Sequence, residues 1–177
     1  ICAAANNQTL PLMTIDGAGG GILIWTDYRL GGLPEIYTQR VDSAGSMKWA
    51  ANGVFVVTTP GSSVSAVIAA VASGGAVIVW EDASSGGNLA QRISSTGSTL
   101  WSANGVAGLV PLSGPPPYRN PTIVVDNNGY TILAADALVA AEEAEKQIQK
   151  GNYKGPLHGI PLAVKDIYES GPTTGGS

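Results

Sequence analysis

The sequence predicts a mainly β fold of blade-sized repeats, followed by one helix and a short strand-like segment. Three observations predict it. The first is self-similarity. Residues 39–54 read QRVDSAGSMKWAANGV and residues 91–106 read QRISSTGSTLWSANGV, so Gln39 and Gln91, like Trp49 and Trp101, stand 52 positions apart. DGAGGGILIW at 16–25 and SGGAVIVW at 73–80 set Trp25 and Trp80 55 apart. The second is composition: 24 glycines among 177 residues, 44% hydrophobic and only 12% charged, against about 25% charged in an average globular domain. The third is a break after residue 133, where Gly-rich text gives way to Ala- and Glu-rich text. Self-similarity at a fixed period is read before any local motif, because it sets the architecture.

Each repeat divides into about four short apolar runs. In the second unit these are Ala66–Val71, Ala76–Trp80, Leu89–Ile93 and Thr99–Trp101 with its continuation. Ser73-Gly74-Gly75, Ser84–Gly87, Ser94–Gly97 and Asn104-Gly105 separate them. β-branched residues suit the runs, and Gly supplies the positive-φ positions that tight turns demand. PTIVVDNNGYTIL at 121–133 matches PLMTIDGAGGGIL at 11–23 and opens a third copy. The N-terminal ICAAANNQ reads as the tail of an earlier unit. Four strands in about 50 residues is the size of a propeller blade. Residues 1–133 are therefore expected to form an incomplete β-propeller-like repeat array of short antiparallel strands: about two units, with partial units at each end. Propellers use about 4–8 blades and stacked repeats need about three units. Open sheet edges should then seek further strands, which predicts self-association.

Residues 134–177 have another character. In AADALVAAEEAEKQIQKGN, Leu138, Ala141, Ala144 or Glu145, and Ile148 fall at helical spacing. Asp136 suits an N-cap, Glu142 and Lys146 form an i,i+4 pair, and Gly151 stands where a C′ glycine belongs. Four of the five lysines, 146, 150, 154 and 165, lie in this part.

Two resemblances follow from these residues. The pattern QRV-D-xx-G-xxx-W-xx-NGV, with its Trp-ending strand, resembles the repeats of bacterial extracellular β-propeller-like proteins over residues 1 to 133. That resemblance implies a surface for binding or adhesion and an extracellular or cell-surface location. The segment 155–177, GPLHGIPLAVKDIYESGPTTGGS, with the helix before it, resembles the N-terminal part of the amidase signature hydrolases over residues 135–177. This second resemblance implies that Lys165 is the base of a Ser–cis-Ser–Lys relay. A lysine does this only where its surroundings lower its pKa from about 10.4 toward neutrality. The bridging and nucleophilic serines of that family belong downstream of the matched stretch and have no counterpart in these residues. The segment offers a base without the nucleophile or oxyanion donors that acyl transfer requires.

The remaining signals narrow the function classes. A net charge of −4 argues against a nucleic-acid partner. No apolar run reaches membrane-span length, Val64–Val71 being the longest candidate. Cys2 is the only cysteine and His158 the only histidine, so neither a disulfide framework nor a His-based metal cluster is expected, and no cofactor motif is seen. Trp25, Trp49, Trp80 and Trp101 are candidate glycan-binding platforms, although their recurrence at matching positions equally suits packing between strands. The leading expectation is a non-catalytic, exported structural or binding module. The alternatives are a fragment of an amidase signature hydrolase, acting through Lys165, and a chimeric chain with no selected function.

Overall fold

The computed structural model describes residues 1–57, 63–82, 87–107, 121–125, 131–134 and 149–151. These residues form antiparallel sheets, each strand hydrogen-bonded to its neighbours in the chain. The first sheet has the order β1 (Gln8–Ile15), β2 (Gly21–Asp27), β3 (Glu35–Val41), β4 (Val54–Phe55). The second repeats it with β5 (Ser63–Ala70), β6 (Ala76–Asp82), β7 (Gly87–Ile93), β8 (Val106–Ala107). A third begins with β9 (Thr122–Val125) and β10 (Thr131–Ala134). The mainly β expectation, with short antiparallel strands, thus agrees with the structure. Ring closure is not a property of two sheets and a hairpin.

The fourth strand differs from expectation. Thr99 makes only an isolated bridge to Ile93, as Met47 does to Val41, and the strand proper comes after the Asn-Gly turn. A buried glutamine explains the displacement. The Gln39 side chain donates to the Ala50 carbonyl at 2.7 Å and accepts from the Arg40 and Trp49 amides, both at 3.0 Å. Gln91 does the same with Ser102 at 2.8 Å, Arg92 at 3.0 Å and Trp101 at 2.9 Å. The side chain takes the place of a strand partner, so the backbone through Trp49 and Trp101 is satisfied without joining the ladder.

The same loops explain why the motif ends in Asn-Gly. Gly53 has φ +89° and Gly105 φ +82°, a region where a side chain is strained. An added Cβ would also lie 2.4 Å from the Trp25 ring at Gly53 and 2.7 Å from the Trp80 ring at Gly105. The six-membered ring of the second strand's tryptophan therefore packs against the glycine of the loop that follows the third strand. Spacing Trp25–Gly53 and Trp80–Gly105 is a packing constraint written into the repeat.

The units stack face to face. Ile22, Ile24 and Ile36 of the first pack against Ala76, Ile78, Trp80 and Ile93 of the second, with Trp49, Val56 and Val57 closing the cluster. Burying one such aliphatic side chain is worth about 1.5–3 kcal/mol. Trp49 reaches across to the next unit, its indole N–H donating to the Ser95 carbonyl at 3.0 Å. On the far face of the second unit, Val71, Val77, Val79 and Ala90 meet Ile123 and Val125 of the third. Both faces of β6 are thus covered, which is why AVIVW reads as an unbroken apolar run rather than an alternating one.

The first strand of each of the first two units carries a bulge. Pairing shifts between Thr9 and Leu12 in β1 and between Val64 and Ala66 in β5. Leu10 (φ 51°) and Ser65 (φ 50°) stand at these irregularities, 55 positions apart. Pro11, which has no N–H to give a ladder, fits beside such a bulge on an edge strand. The expected helix lies outside the described residues except for its end, where Gln149 is helical and Gly151 has φ +81°, as a C′ glycine requires.

Gly53→Ala and Gly105→Ala should each lower unfolding free energy by about 2 kcal/mol or more, since each must relieve both backbone strain and an indole clash. Gly31→Ala, at φ +69° with open space around it, should cost only about 1 kcal/mol. Urea denaturation of the three variants compares them directly.

Candidate functional site

A dense polar cluster sits at one end of the first sheet. β2 and β3 pair so that Trp25 faces Tyr37 and Asp27 faces Glu35. These four share one face of the sheet. The hairpin carries seven residues between the strands, and the first of its turn residues bring Arg29 back over that face.

Asp27 is wholly buried and fully engaged. Its Oδ1 accepts from the Arg29 backbone amide at 2.8 Å and from Arg29 Nε at 3.0 Å. Its Oδ2 accepts from Arg29 Nη2 at 2.6 Å and from the Trp25 indole at 2.7 Å. Burial alone would raise the Asp27 carboxyl, but the hydrogen bonds from Arg29 and Trp25 outweigh it and hold it below 3.8. Arg29 also donates to the Asn52 carbonyl at 2.8 Å, touches Cys2 Sγ at 3.4 Å and lies 3.6 Å from the centre of the Tyr37 ring. Hydrogen bonding to Asp27 raises the guanidinium further, so its charge is permanent. Trp25, Tyr37 and Phe55 continue as an aromatic row, with centroids 6.2 Å and 5.3 Å apart.

Glu35 stands apart from this network. It is buried and its Oε2 has no hydrogen-bond partner. Burial first, and then the negative charge of Asp27, push its carboxyl above 4.5. Two carboxyls with diverging pKa values are the usual mark of an acid–base pair. The geometry argues against that role here. Four donors saturate Asp27, leaving it no lone pair for a substrate, and Arg29 closes the cluster over Tyr37. The arrangement is a clasp that seals the sheet end. In the second unit Asp82 holds the position of Asp27 and faces Gly87.

The sequence-derived site residues are distributed as follows. Trp25, Trp49 and Trp80 are buried; Trp101 is half-buried against the cluster on the far face of the second unit. A glycan platform needs an open indole face, and of the four only Trp101 retains appreciable exposure. Lys165 and His158 lie outside the described residues. Asp27 stands at a strand end, and Arg29, Glu35 and Tyr37 belong to no motif in the sequence. Their signal was TDYR followed by EIYTQR, legible only once the register across the hairpin is known. A second feature is a cleft of ≈ 290 Å³ between the units, lined by Leu10, Pro11, Leu12, Ile24, Trp25, Thr26, Ser65 and Ala66. It is apolar and flanked by both bulges. Among the described residues, no helix is long and apolar enough to cross a membrane.

No protein-family model matches the chain. A Pseudomonas putida amidase is 42% identical over 52 residues, 28% of this chain and 11% of that protein. A Mycobacterium tuberculosis protein bearing the name amidase AmiD is 44% identical over 36 residues, 20% of this chain and 8% of its own length. The chain thus spans about a tenth of the curated relatives it matches. Among solved structures, the endo-arabinase of Bacteroides thetaiotaomicron aligns with a TM-score of 0.41 at 12% identity, over 71% of this chain and 49% of that one. The likeness to amidases is therefore real and short, and the likeness to the arabinase is distant.

Glu35→Gln should raise stability near neutral pH by roughly 1 kcal/mol, the scale of an unmade buried hydrogen bond. Glu35 binds its proton more tightly folded than unfolded, so it weakens the fold as pH rises from about 4.5 through its raised value. The gain on substitution should fade below that window. Asp27→Asn should instead cost about 3–5 kcal/mol by leaving Arg29 uncompensated. The stability Asp27 contributes is present above pH 3.8 and is lost as pH falls through its lowered value. Thermal melts from pH 3 to 8 read both effects.

Proposed function

We propose that this chain is a non-catalytic, exported repeat scaffold that assembles through its sheets and presents a binding surface. The observation that supports it is the condition of Asp27, the most deeply buried carboxylate of the first sheet. Its acceptor sites are all filled by the scaffold itself, and the arginine that fills them also covers the neighbouring ring. Polar chemistry that would serve a reaction is committed to sealing a sheet. The repeated Gln clamp and Trp–Gly contact likewise serve packing.

One specific observation favours a second reading. The amidase likeness, 42% over 52 residues, fits a piece of an amidase signature hydrolase with Lys165 as its base. The two readings separate in a single assay. The scaffold reading expects no hydrolysis of small aliphatic and aromatic amides or esters above the buffer rate by the purified chain. Turnover that disappears in Lys165→Ala, while the far-ultraviolet spectrum is retained, would replace it with the amidase reading.

A further inference from the structure

The repeat shows what an uncovered face of the first sheet is built to receive. Offsetting by 55 places Met13, Ile15, Leu23 and Trp25 at the positions of Ile68, Ala70, Ile78 and Trp80. In the second unit that face is covered: Ile68, Ile78 and Trp80 pack onto Ile22, Ile24 and Ile36 of the unit before. The third unit repeats the arrangement, since Ile123, at the same position again, packs onto the second. In the first unit, Met13 is 65% exposed and Ile15 77% exposed. The Trp25 end is closed by Arg29 on Tyr37, so the open part is the Met13–Ile15–Leu23 half. Large side chains exposed together where repeat equivalents such as Ile68 and Ile78 pack on a neighbouring unit mark an interaction face rather than scattered surface apolarity.

The third unit carries the complementary position. Val124 lies on the side of β9 opposite Ile123 and Val125, and is 55% exposed. Its repeat equivalents are Thr14 and Ala69, on the faces that receive the following unit. We infer that the Met13 face of one copy docks on the Val124 face of a second copy, continuing between chains the stack that joins units within one. The inference rests on the scaffold reading and replaces edge-to-edge pairing with face-to-face stacking. Such a contact is heterologous, so it closes into a ring or grows as a filament.

The test uses the full chain with Met13→Asp and Val124→Asp, each checked for an unchanged β spectrum. Light scattering coupled to size exclusion should show the wild type assembled and each variant running as single chains. Mixing the two variants should restore one contact and no more: the intact Met13 face of the Val124→Asp chain meets the intact Val124 face of the Met13→Asp chain. A two-chain species is then expected. If Val124→Asp stays assembled while Met13→Asp does not, copies meet through like faces and the head-to-tail contact is wrong. If both variants remain assembled, the faces are not the interface, although self-association stands. A wild type that runs as single chains across the micromolar range overturns the docking and self-association together.

Discussion

An indole resting on a glycine organises each unit. Trp25 on Gly53 and Trp80 on Gly105 tie the second strand to the loop that follows the third. That loop is held by the buried amide of Gln39 or Gln91. The two devices depend on each other. Without the glutamine the loop would have no reason to pass beneath the ring. Without the glycine the ring would have no room, and the isoleucines that carry the stack would lose their level. The repeat therefore keeps Trp, Gln, Trp and Asn-Gly together while the residues between them drift, as in VDSAGSMK against ISSTGSTL. Even the drift is chemically bounded. Asp42 and Ser94 both accept two amides of their turn, from Ala44 and Ser46 and from Thr96 and Ser98.

Against this shared frame, the differences between units carry the individuality of the chain. The first unit has Asp16 bonded to Arg40, which also reaches the Gly74 carbonyl of the next unit at 3.3 Å. The second has Val71 in place of Asp16, and Arg92 turns to Ser73 instead. The first also has the Asp27–Arg29 clasp and the N-terminal residues that meet it, Ala3 donating to Asn52 and Tyr28 to Asn7. The clasp closes part of the Trp25 face of the first unit. Arg29 over Tyr37 does so with a group that tolerates both an aromatic ring below and water above.

What the sequence made legible was what repeats. Self-similarity located the units, Gly-rich turns separated the strands, and matching tryptophans pointed to packing. Three things were not legible. The apolar run Thr99–Trp101 with its continuation suggests a ladder strand from Thr99 onward; a side-chain amide can satisfy a backbone as well as a strand does, and no pattern of hydrophobicity records it. The bulges at Leu10 and Ser65 left no trace, since neither residue is one that favours positive φ. The acid–arginine clasp needed the register across a seven-residue hairpin, and such a loop does not set register as a two-residue turn would. The C-terminal resemblance was the opposite case: a motif specific in letters whose residues lie outside the described structure.

Hydrogen bonding between chain neighbours only, strand by strand, also shapes how the molecule is made. Contacts within a unit close over short sequence distances, so a sheet can form as soon as its own four strands are available. Synthesis proceeds from the N-terminus at about 5–20 residues per second, so the first sheet waits a few seconds for the second. Ile22, Ile24 and Ile36 then form the surface onto which the second unit closes. The order of the repeats along the chain is in this sense an order of assembly in time, with each unit serving as the mould for the next.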